Sequence, residues 1–258
     1  MNPCSLIPST VCGLLLLVSL GGCAQTRNHD FAPPPGGETV SVTVKVPKDL
    51  AADTMRVMYR SEKCPLKRSD GSGERYEIDG AHAIEVVPQR QGQSDLYEAR
   101  LARDGGGACQ WKLSNVTLGV HYENTSQFGR KVEYAGGGEV IIIFDLNMPQ
   151  QQSMYGVVDI DGDVLVREEY FPWLSEIFLN GHREIIELLG SQKFLTYRSL
   201  SARKVAFEPV FYSNMVVKTI GVKSFGEGEK AENIYPDGTR EFANSDPNIE
   251  RLKEMVGK

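Results

Sequence analysis

The sequence Val40-Ser41-Val42-Thr43-Val44-Lys45-Val46 alternates apolar and polar residues without interruption. Successive side chains of a β-strand point to opposite faces of the sheet, so an alternation with a period of two predicts a strand with one buried face. Pro47 follows directly and predicts the end of this strand. The stretch therefore sets the expected fold class, which is mainly β.

The same alternation recurs further along the chain, in residues 55–59, 97–101 and 116–122. Residues 140–144 form a short continuous apolar run, which is typical of a central strand that is buried on both faces. Glycine-rich turns lie between these segments. Several short strands separated by such turns predict an antiparallel, sandwich-like domain for residues 39–149.

A polar run at residues 148–153 predicts a domain boundary near residue 150. Residues 150–258 are then expected to form a second β-rich domain with one or two short helices. Its expected strands lie at residues 193–197, 204–212 and 215–223, which are rich in Val, Ile and Phe.

Three shorter signals fall within this second part of the chain. Asp161-Gly162 predicts a two-residue β-hairpin. Asn180-Gly181 predicts a turn, after which the apolar spacing favours a short helix from about His182 to Leu189. Asp246-Pro247 predicts the start of a terminal helix that Gly257 closes.

The N-terminal segment predicts export. The apolar run at residues 11–20 is too short to span a bilayer, which needs ~20 residues, but it suits the apolar core of a signal peptide. Leu20-Gly21-Gly22-Cys23 follows it and resembles the lipobox of bacterial lipoprotein precursors. The resemblance covers the first 23 residues only. It implies that residues 1–22 are a signal peptide, that Cys23 carries the lipid, and that the protein lies on the periplasmic face of the envelope.

One departure from this pattern is that residues 1–13 contain no Lys or Arg, so an ordinary signal peptide or a short buried helix remains an alternative. Residues 23–38 are polar and end in Pro-Pro-Pro-Gly-Gly, which predicts a flexible tether with a solvated His29. Ala24 replaces the aspartate that commonly retains lipoproteins in the inner membrane, so the resemblance implies the outer membrane.

The remaining cysteines fit an oxidising compartment. Of five cysteines, Cys4 and Cys12 would leave with the signal peptide and Cys23 would carry the lipid. Cys64 and Cys109 are the even remainder and are predicted to form a disulfide, with two buried free thiols as the alternative.

Composition argues against several function classes. The chain has 28 basic and 34 acidic residues, for a formal net charge of −6, and no Lys/Arg-rich run, so we expect no nucleic-acid partner. The histidines and cysteines lack zinc-site spacing, and the acids around Asp161 have Val164 and Tyr170 where a calcium loop needs Gly and Glu. We therefore expect no metal and no cofactor.

Catalytic motifs of envelope enzymes are missing from the sequence. It contains no GxSxG, HExxH or repeated HxK motif, and His182 has no serine or cysteine elbow nearby, which predicts an ordinary surface histidine. The protein is therefore predicted not to be an enzyme. A glycosidase that uses two distant carboxylates is the alternative that sequence alone leaves open.

The segment most typical of a protein interface is Glu168-Glu169-Tyr170-Phe171-Pro172-Trp173. Aromatic anchors beside charged groups are common in interface hot spots. The predicted partner-binding residues are therefore Glu168, Glu169, Tyr170, Phe171 and Trp173. The alternative is that these aromatic side chains fill the core of the second domain.

The overall layout resembles that of immunity lipoproteins, which protect bacteria against envelope toxins delivered by type VI secretion, in particular toxins of the phospholipase and lipase kind. Residues 55–64 and 109–113 carry the resemblance. It implies a protein partner whose active-site cleft this chain would occlude, and an excess of acidic charge would complement a cleft built for lipid phosphate. A structural or assembly lipoprotein and a carbohydrate-binding module are the alternatives.

Overall fold

The computed structural model describes residues 29–147, 156–224, 226, 228–243 and 246–257. The predicted signal peptide, Cys23 and the polar run at residues 148–153 lie outside the described residues.

The described part of the chain contains twenty strands and one helix. The first ten strands are β1 (Thr39–Lys45), β2 (Ala51–Ala52), β3 (Met55–Ser69), β4 (Arg75–Val86), β5 (Gln89–Arg90), β6 (Leu96–Ala102), β7 (Asp104–Gly106), β8 (Trp111–His121), β9 (Val132–Gly137) and β10 (Glu139–Ile143). The remaining elements are β11 (Val158–Asp159), β12 (Val164–Val166), β13 (Glu169–Ile177), β14 (Arg183–Leu189), β15 (Phe194–Arg198), β16 (Lys204–Phe207), β17 (Val210–Phe211), β18 (Val217–Ile220), β19 (Ala231–Ile234), β20 (Arg240–Ala243) and α1 (Ile249–Val256).

These strands form three sheets in a sandwich-like arrangement. The five-stranded sheet has the order β12-β16-β1-β6-β5. The eight-stranded sheet has the order β11-β15-β10-β8-β3-β4, with β2 and β7 also paired to β8. The seven-stranded sheet has the order β20-β19-β18-β13-β14-β9, with β17 paired to β13. Strands account for 53% of the described residues and helix for 4%, which confirms the predicted β class.

The strands that the alternating pattern predicted are present. In β1, Val40, Val42 and Val44 are buried and pack in the main core, while the residues between them are less buried. The apolar run of β10 lies between β8 and β15, and Val140 to Ile143 are all buried. A strand with neighbours on both sides and both faces covered has no polar face, so its sequence shows no alternation.

Strands before residue 150 pair antiparallel with one another, as expected, but the complete sheets are mixed. β16 pairs in parallel with β1, and β15 pairs in parallel with β10. In both pairs a strand from beyond residue 150 lies beside one from before it, and each of the three sheets contains strands from both sides of residue 150. The expected division into residues 39–149 and 150–258 therefore does not follow the sheets.

The helix predicted from about His182 to Leu189 is wrong, because this segment is strand β14. Asn180 and Gly181 have φ angles of 62° and 107° and form the turn, so β14 pairs antiparallel with β13. Ile186 and Leu188 face the main core, while Leu189 belongs to a second core on the other face. Because both faces of β14 are buried, its apolar residues do not alternate with polar ones. Their spacing instead resembles one face of a helix, which explains the wrong prediction.

The hairpin predicted at Asp161-Gly162 is also wrong. Strands β11 and β12, on either side of this turn, belong to different sheets. The turn is held by Asp163, whose Oδ1 accepts hydrogen bonds at 2.8 Å from the backbone N–H groups of both Arg203 and Lys204. The turn thus connects two layers of the fold.

The predicted terminal helix is present as α1. The Asn248 side chain caps its first turn by accepting a hydrogen bond from the Arg251 N–H at 3.2 Å, and Gly257 is the C-cap residue. Leu252 is fully buried against a second core on the outer face of the seven-stranded sheet, formed by Phe171, Leu189, Val217 and Tyr235. The other face of this sheet packs on the main core through side chains such as Tyr170 and Ile186.

Candidate functional site

The predicted partner-binding segment is a central strand and not an exposed loop. Tyr170 and Phe171 are 1% and 0% exposed, so their assignment to a binding surface is wrong and the alternative of a core role is correct. Glu168 Oε1 accepts a hydrogen bond from the Ser191 N–H at 2.6 Å. Glu169 Oε1 accepts one from the Tyr212 hydroxyl at 2.7 Å. Both carboxylates thus fasten β13 to its surroundings.

Trp173 differs from the other predicted residues because it borders open space. Its Nε1 donates to Thr219 Oγ1 at 2.7 Å, which fixes the indole on the outer face of the seven-stranded sheet. Helix α1 covers only part of this face, and Trp173 lines two clefts beside the helix. We name them the Glu187 cleft, of about 540 Å³, and the Phe178 cleft, of about 350 Å³.

The Glu187 cleft has mixed chemistry. Its lining comprises Gly137, Trp173, residues 187–193, Asp246, Pro247 and Ile249. Glu187 is half-buried, and this burial raises the pKa of its carboxyl group; the nearby Lys193 opposes the effect and Asp246 adds to it. Glu187 makes no hydrogen bond or ion pair with any described residue. The sequence signal for this residue is an acid within the apolar run Ile185-Ile186-Glu187-Leu188-Leu189.

The Phe178 cleft is largely apolar. It is lined by Trp173, Ile177, Phe178, Leu179, Thr219, Gly221, Val222, Ala231 and Asp246. Trp173 and Asp246 line both clefts, so the two spaces meet at these residues.

A second group of titratable residues lies where the eight-stranded sheet meets β9. Asp53 Oδ1 is 2.6 Å from His121 Nδ1, and burial raises the pKa of Asp53 even though the histidine lowers it. Arg56 Nη2 donates to Glu139 Oε1 at 3.3 Å, and burial raises the pKa of Glu139. Burial also raises the pKa of Tyr134 strongly, with further contributions from the two acids. Among the described residues, His121 has no hydrogen bond to a serine, threonine or cysteine that it could activate.

Cys64 and Cys109 form a disulfide, as predicted, with their Cα atoms 5.4 Å apart. The bridge joins strand β3 to the turn between β7 and β8. His29 Nδ1 lies 3.9 Å from Cys109 Sγ. The possible ligand atoms of His29, Cys64 and Cys109 all lie within 4.8 Å of one another, which is close enough to hold a metal ion. The sulfur atoms are bonded to each other, however, and a disulfide is not the thiolate ligand that zinc requires.

The predicted tether contacts the folded body from His29 onward, which corrects the expectation of a free segment up to residue 38. Trp111 Nε1 donates to the His29 carbonyl at 3.2 Å, and the Ala32 N–H donates to the Gly105 carbonyl at 2.9 Å. The Phe31 ring packs edge-on to Tyr59 at 4.6 Å. The segment can pack closely against the body because the body has glycines at the contact. A Cβ atom on Gly106 would lie 2.1 Å from the Ala32 carbonyl oxygen.

The most exposed structure is a long β-hairpin, which we name the arm and define as residues 62–79. Pairing of β3 with β8 ends at Arg60, and beyond that point β3 pairs only with β4. Every residue from Lys67 to Ile78 is exposed. At a rise of ~3.3 Å per residue, residues 66–70 carry the tip roughly 15 Å beyond the body.

The arm has two different faces. Leu66 pairs with Ile78 and Arg68 with Tyr76, so these four side chains share one face. Tyr76 is 48% exposed and Ile78 is 37% exposed. The opposite face carries the pair Lys67 and Glu77, which form an exposed ion pair at 3.9 Å. One face of the arm is therefore an exposed apolar stripe with an arginine, a composition that protein interfaces favour.

The base and the tip of the arm are both held in place. At the base, Ser61 and Gly80 pair, and the next pair is Leu66 with Ile78, so residues 62–65 form a bulge. The Ser61 hydroxyl donates to the Cys109 carbonyl at 2.5 Å and accepts from the Cys64 N–H at 3.2 Å. The disulfide thus fixes this bulge to the turn before β8.

At the tip, Asp70 organises the turn. Its Oδ1 accepts hydrogen bonds from the backbone N–H groups of Ser72 and Glu74, each at 2.9 Å, and from the Ser72 hydroxyl at 2.7 Å. These hydrogen bonds lower the pKa of Asp70, so the turn remains charged and intact at neutral pH. The sequence shows this turn as Ser69-Asp70-Gly71-Ser72-Gly73, but it gives no sign that the flanking strands project.

Comparison of the chain with protein-family models, with curated proteins and with solved structures finds no match. Within the described residues, no helix has the length and apolar character needed to cross a membrane.

Proposed function

We propose that this chain is a lipid-anchored immunity protein on the periplasmic face of a bacterial envelope, which binds a secreted phospholipase-type toxin and blocks its active site. The lipobox-like Leu20-Gly21-Gly22-Cys23 and the Cys64–Cys109 disulfide support the location, since disulfides persist in oxidising compartments. The projecting arm is the single observation that supports the proposed blocking of the active site.

The arm suits insertion into a concave site. It is narrow, it is exposed on both faces, and its tip and base are fixed by Asp70 and by the disulfide. A preorganised element loses less conformational entropy on binding than a mobile loop does. Its apolar face, with Leu66, Tyr76 and Ile78, offers the anchors that would exclude water from a partner's cleft.

The position of the arm relative to the anchor also supports a partner that acts on lipid. Six residue steps separate Cys23 from His29, a reach of at most ~20 Å. His29 lies beside Cys109, which is bonded to Cys64 at the base of the arm. A lipid on Cys23 would therefore hold the base of the arm close to the membrane surface, where a phospholipase meets its substrate.

The test is the affinity of the full-length protein, extracted in detergent, for the secreted lipid-hydrolysing enzyme encoded next to it. We expect Tyr76→Ala with Ile78→Ser to weaken binding at least tenfold, because these changes remove the apolar anchors of the arm. The matched control, Lys67→Ala with Glu77→Ala, changes the opposite face at the same height and should keep affinity within about twofold, since exposed ion pairs contribute little.

Equal affinity of both double variants would remove the arm from the proposal. Recovery of a multi-subunit envelope complex, with no secreted enzyme in it, would favour an assembly lipoprotein instead.

A further inference from the structure

The Glu187 cleft contains charged groups that no described side chain satisfies. Glu187 is half-buried at the inner wall, while Lys193 and Asp246 are exposed at the rim. The side chains of these three residues make no hydrogen bond or ion pair with any other described residue. A half-buried carboxylate that lines a cleft, has a pKa raised by burial and has no partner among the described residues marks a candidate ligand contact.

The charges of the cleft restrict the chemistry of that ligand. Glu187 needs a hydrogen-bond donor, and an ammonium group is the strongest donor for a carboxylate. Lys193 needs an acceptor, yet it forms no ion pair with Glu187 although it lies close enough to affect that carboxylate. A ligand with an ammonium group and a carboxylate or carbonyl a short distance away would satisfy both side chains at once.

The apolar part of the lining fits the same type of ligand. Trp173, Leu189 and Ile249 of helix α1 are among the side chains that line the cleft. The volume of about 540 Å³ lies within the range of ~300–1,000 Å³ that small-molecule sites occupy. Among the described residues, no cluster of three metal-ligating side chains occurs in this cleft, so a divalent cation would find too few ligands here.

We propose that the Glu187 cleft binds the amino end of a free amino acid or of a short peptide, with the ammonium group on Glu187 and the adjacent carboxylate or carbonyl oxygen at Lys193. An apolar side chain of the ligand would lie against Trp173 and Ile249. This site is separate from the arm and does not depend on the proposed immunity function.

The experiment is isothermal titration of the full-length protein in detergent with four probes: leucine, leucinamide, leucyl-glycine and N-acetyl-leucine. Leucine should bind and N-acetyl-leucine should not, because acetylation removes the ammonium group. Tighter binding of leucyl-glycine than of leucine would identify a peptide end as the ligand, and the reverse order would identify a free amino acid.

Variants connect the binding to the named residues. Glu187→Gln should weaken leucine binding at least tenfold, and Lys193→Ala should weaken binding of leucine more than that of leucinamide. The control Glu254→Gln changes an exposed acid of α1 that lies outside the cleft lining, and it should bind leucine as the unmodified protein does.

Equal binding of leucine and N-acetyl-leucine would overturn the proposal, as would unchanged binding by Glu187→Gln or the absence of binding by all four probes. The Tyr76→Ala and Ile78→Ser arm variant should bind leucine normally, so the failure of one proposal is distinguishable from the failure of the other.

Discussion

At the scale of single residues, Glu187 shows how a carboxylate can be retained at a cost in stability. Burial raises its pKa above the ordinary value of 4.5. The folded protein then binds the proton more tightly than the unfolded chain does, so stability falls as the pH rises from the ordinary pKa through the raised one. At neutral pH the ionised carboxylate therefore destabilises the fold, which is consistent with a residue that serves a ligand.

We expect Glu187→Gln to raise the Tm at pH 7 by roughly 1–3 °C, because the amide carries no charge to desolvate. The difference should shrink towards zero at pH 4, where the native carboxyl group is itself protonated. Differential scanning calorimetry at both values measures this, with Glu254→Gln as the exposed control. The measured quantity is the Tm of Glu187→Gln minus that of the unmodified protein. A smaller value at pH 7 than at pH 4 would contradict this account.

Some single residues could be assigned from the sequence and others could not. Cys64 and Cys109 were predicted correctly, because the predicted signal peptide and lipidation of Cys23 leave only these two cysteines to pair. Tyr170 and Phe171 were placed wrongly on a surface, since a run of aromatic residues beside acids looks the same in a core strand and in an interface. Glu187 was missed because the sequence does not show which strands surround a single acidic residue.

At the scale of elements, the arm depends on a close approach between two backbones. Gly80 of β4 lies opposite the bulge of β3, and a Cβ atom there would lie 2.0 Å from the Cys64 carbonyl oxygen. The bulge can therefore close without distortion beside the disulfide when residue 80 has no side chain. Closing a 45-residue separation by a disulfide contributes roughly 4 kcal/mol on the chain-entropy model.

We expect Gly80→Ala to lower the free energy of unfolding by about 1–3 kcal/mol, because the added methyl group forces the bulge apart. Gly71→Ala is the matched control at the tip of the same arm, where a Cβ atom would meet nothing within 4 Å. Urea unfolding followed by tryptophan fluorescence reports the difference. Equal midpoints for the two variants would show that the bulge is not constrained as described.

The elements that could be predicted are those whose burial differs between faces or whose ends carry clear signals. Strand β1 has one buried face, and α1 has Asn248 and Gly257 at its ends. The prediction for strand β14 was wrong because apolar side chains are buried on both of its faces, so apolar and polar residues do not alternate. The projecting part of the arm has neither face buried, so no pattern of burial marks its length.

At the scale of the whole molecule, the order of the strands could not be read from the chain. Strands β16 and β15 from the second half pair in parallel with β1 and β10 from the first half, and nothing local to either sequence specifies these neighbours. The boundary expected near residue 150 followed a change in composition, whereas the sheets follow long-range pairing. The class of the fold was thus predictable, and its topology was not.

The whole-molecule account joins the anchor, the body and the arm. With the proposed lipid on Cys23, the short reach to His29 would set the distance from the membrane, and the disulfide connects the region of His29 to the base of the arm. The net charge of −6 belongs mainly to the body, since residues 62–79 contain four basic and five acidic residues. Long-range attraction to an electropositive partner would therefore come from the body, and close contact from the arm.

The most direct test of this account is photo-crosslinking in intact cells, with a photoreactive amino acid in place of Tyr76 and, as the control, in place of Glu254 on α1. The account predicts a discrete adduct between position 76 and one secreted phospholipase, found in the membrane fraction and lost from that fraction with Cys23→Ser. Position 254 should give no such adduct. An adduct from position 254 alone, or none from position 76 in cells that contain the enzyme, would contradict it.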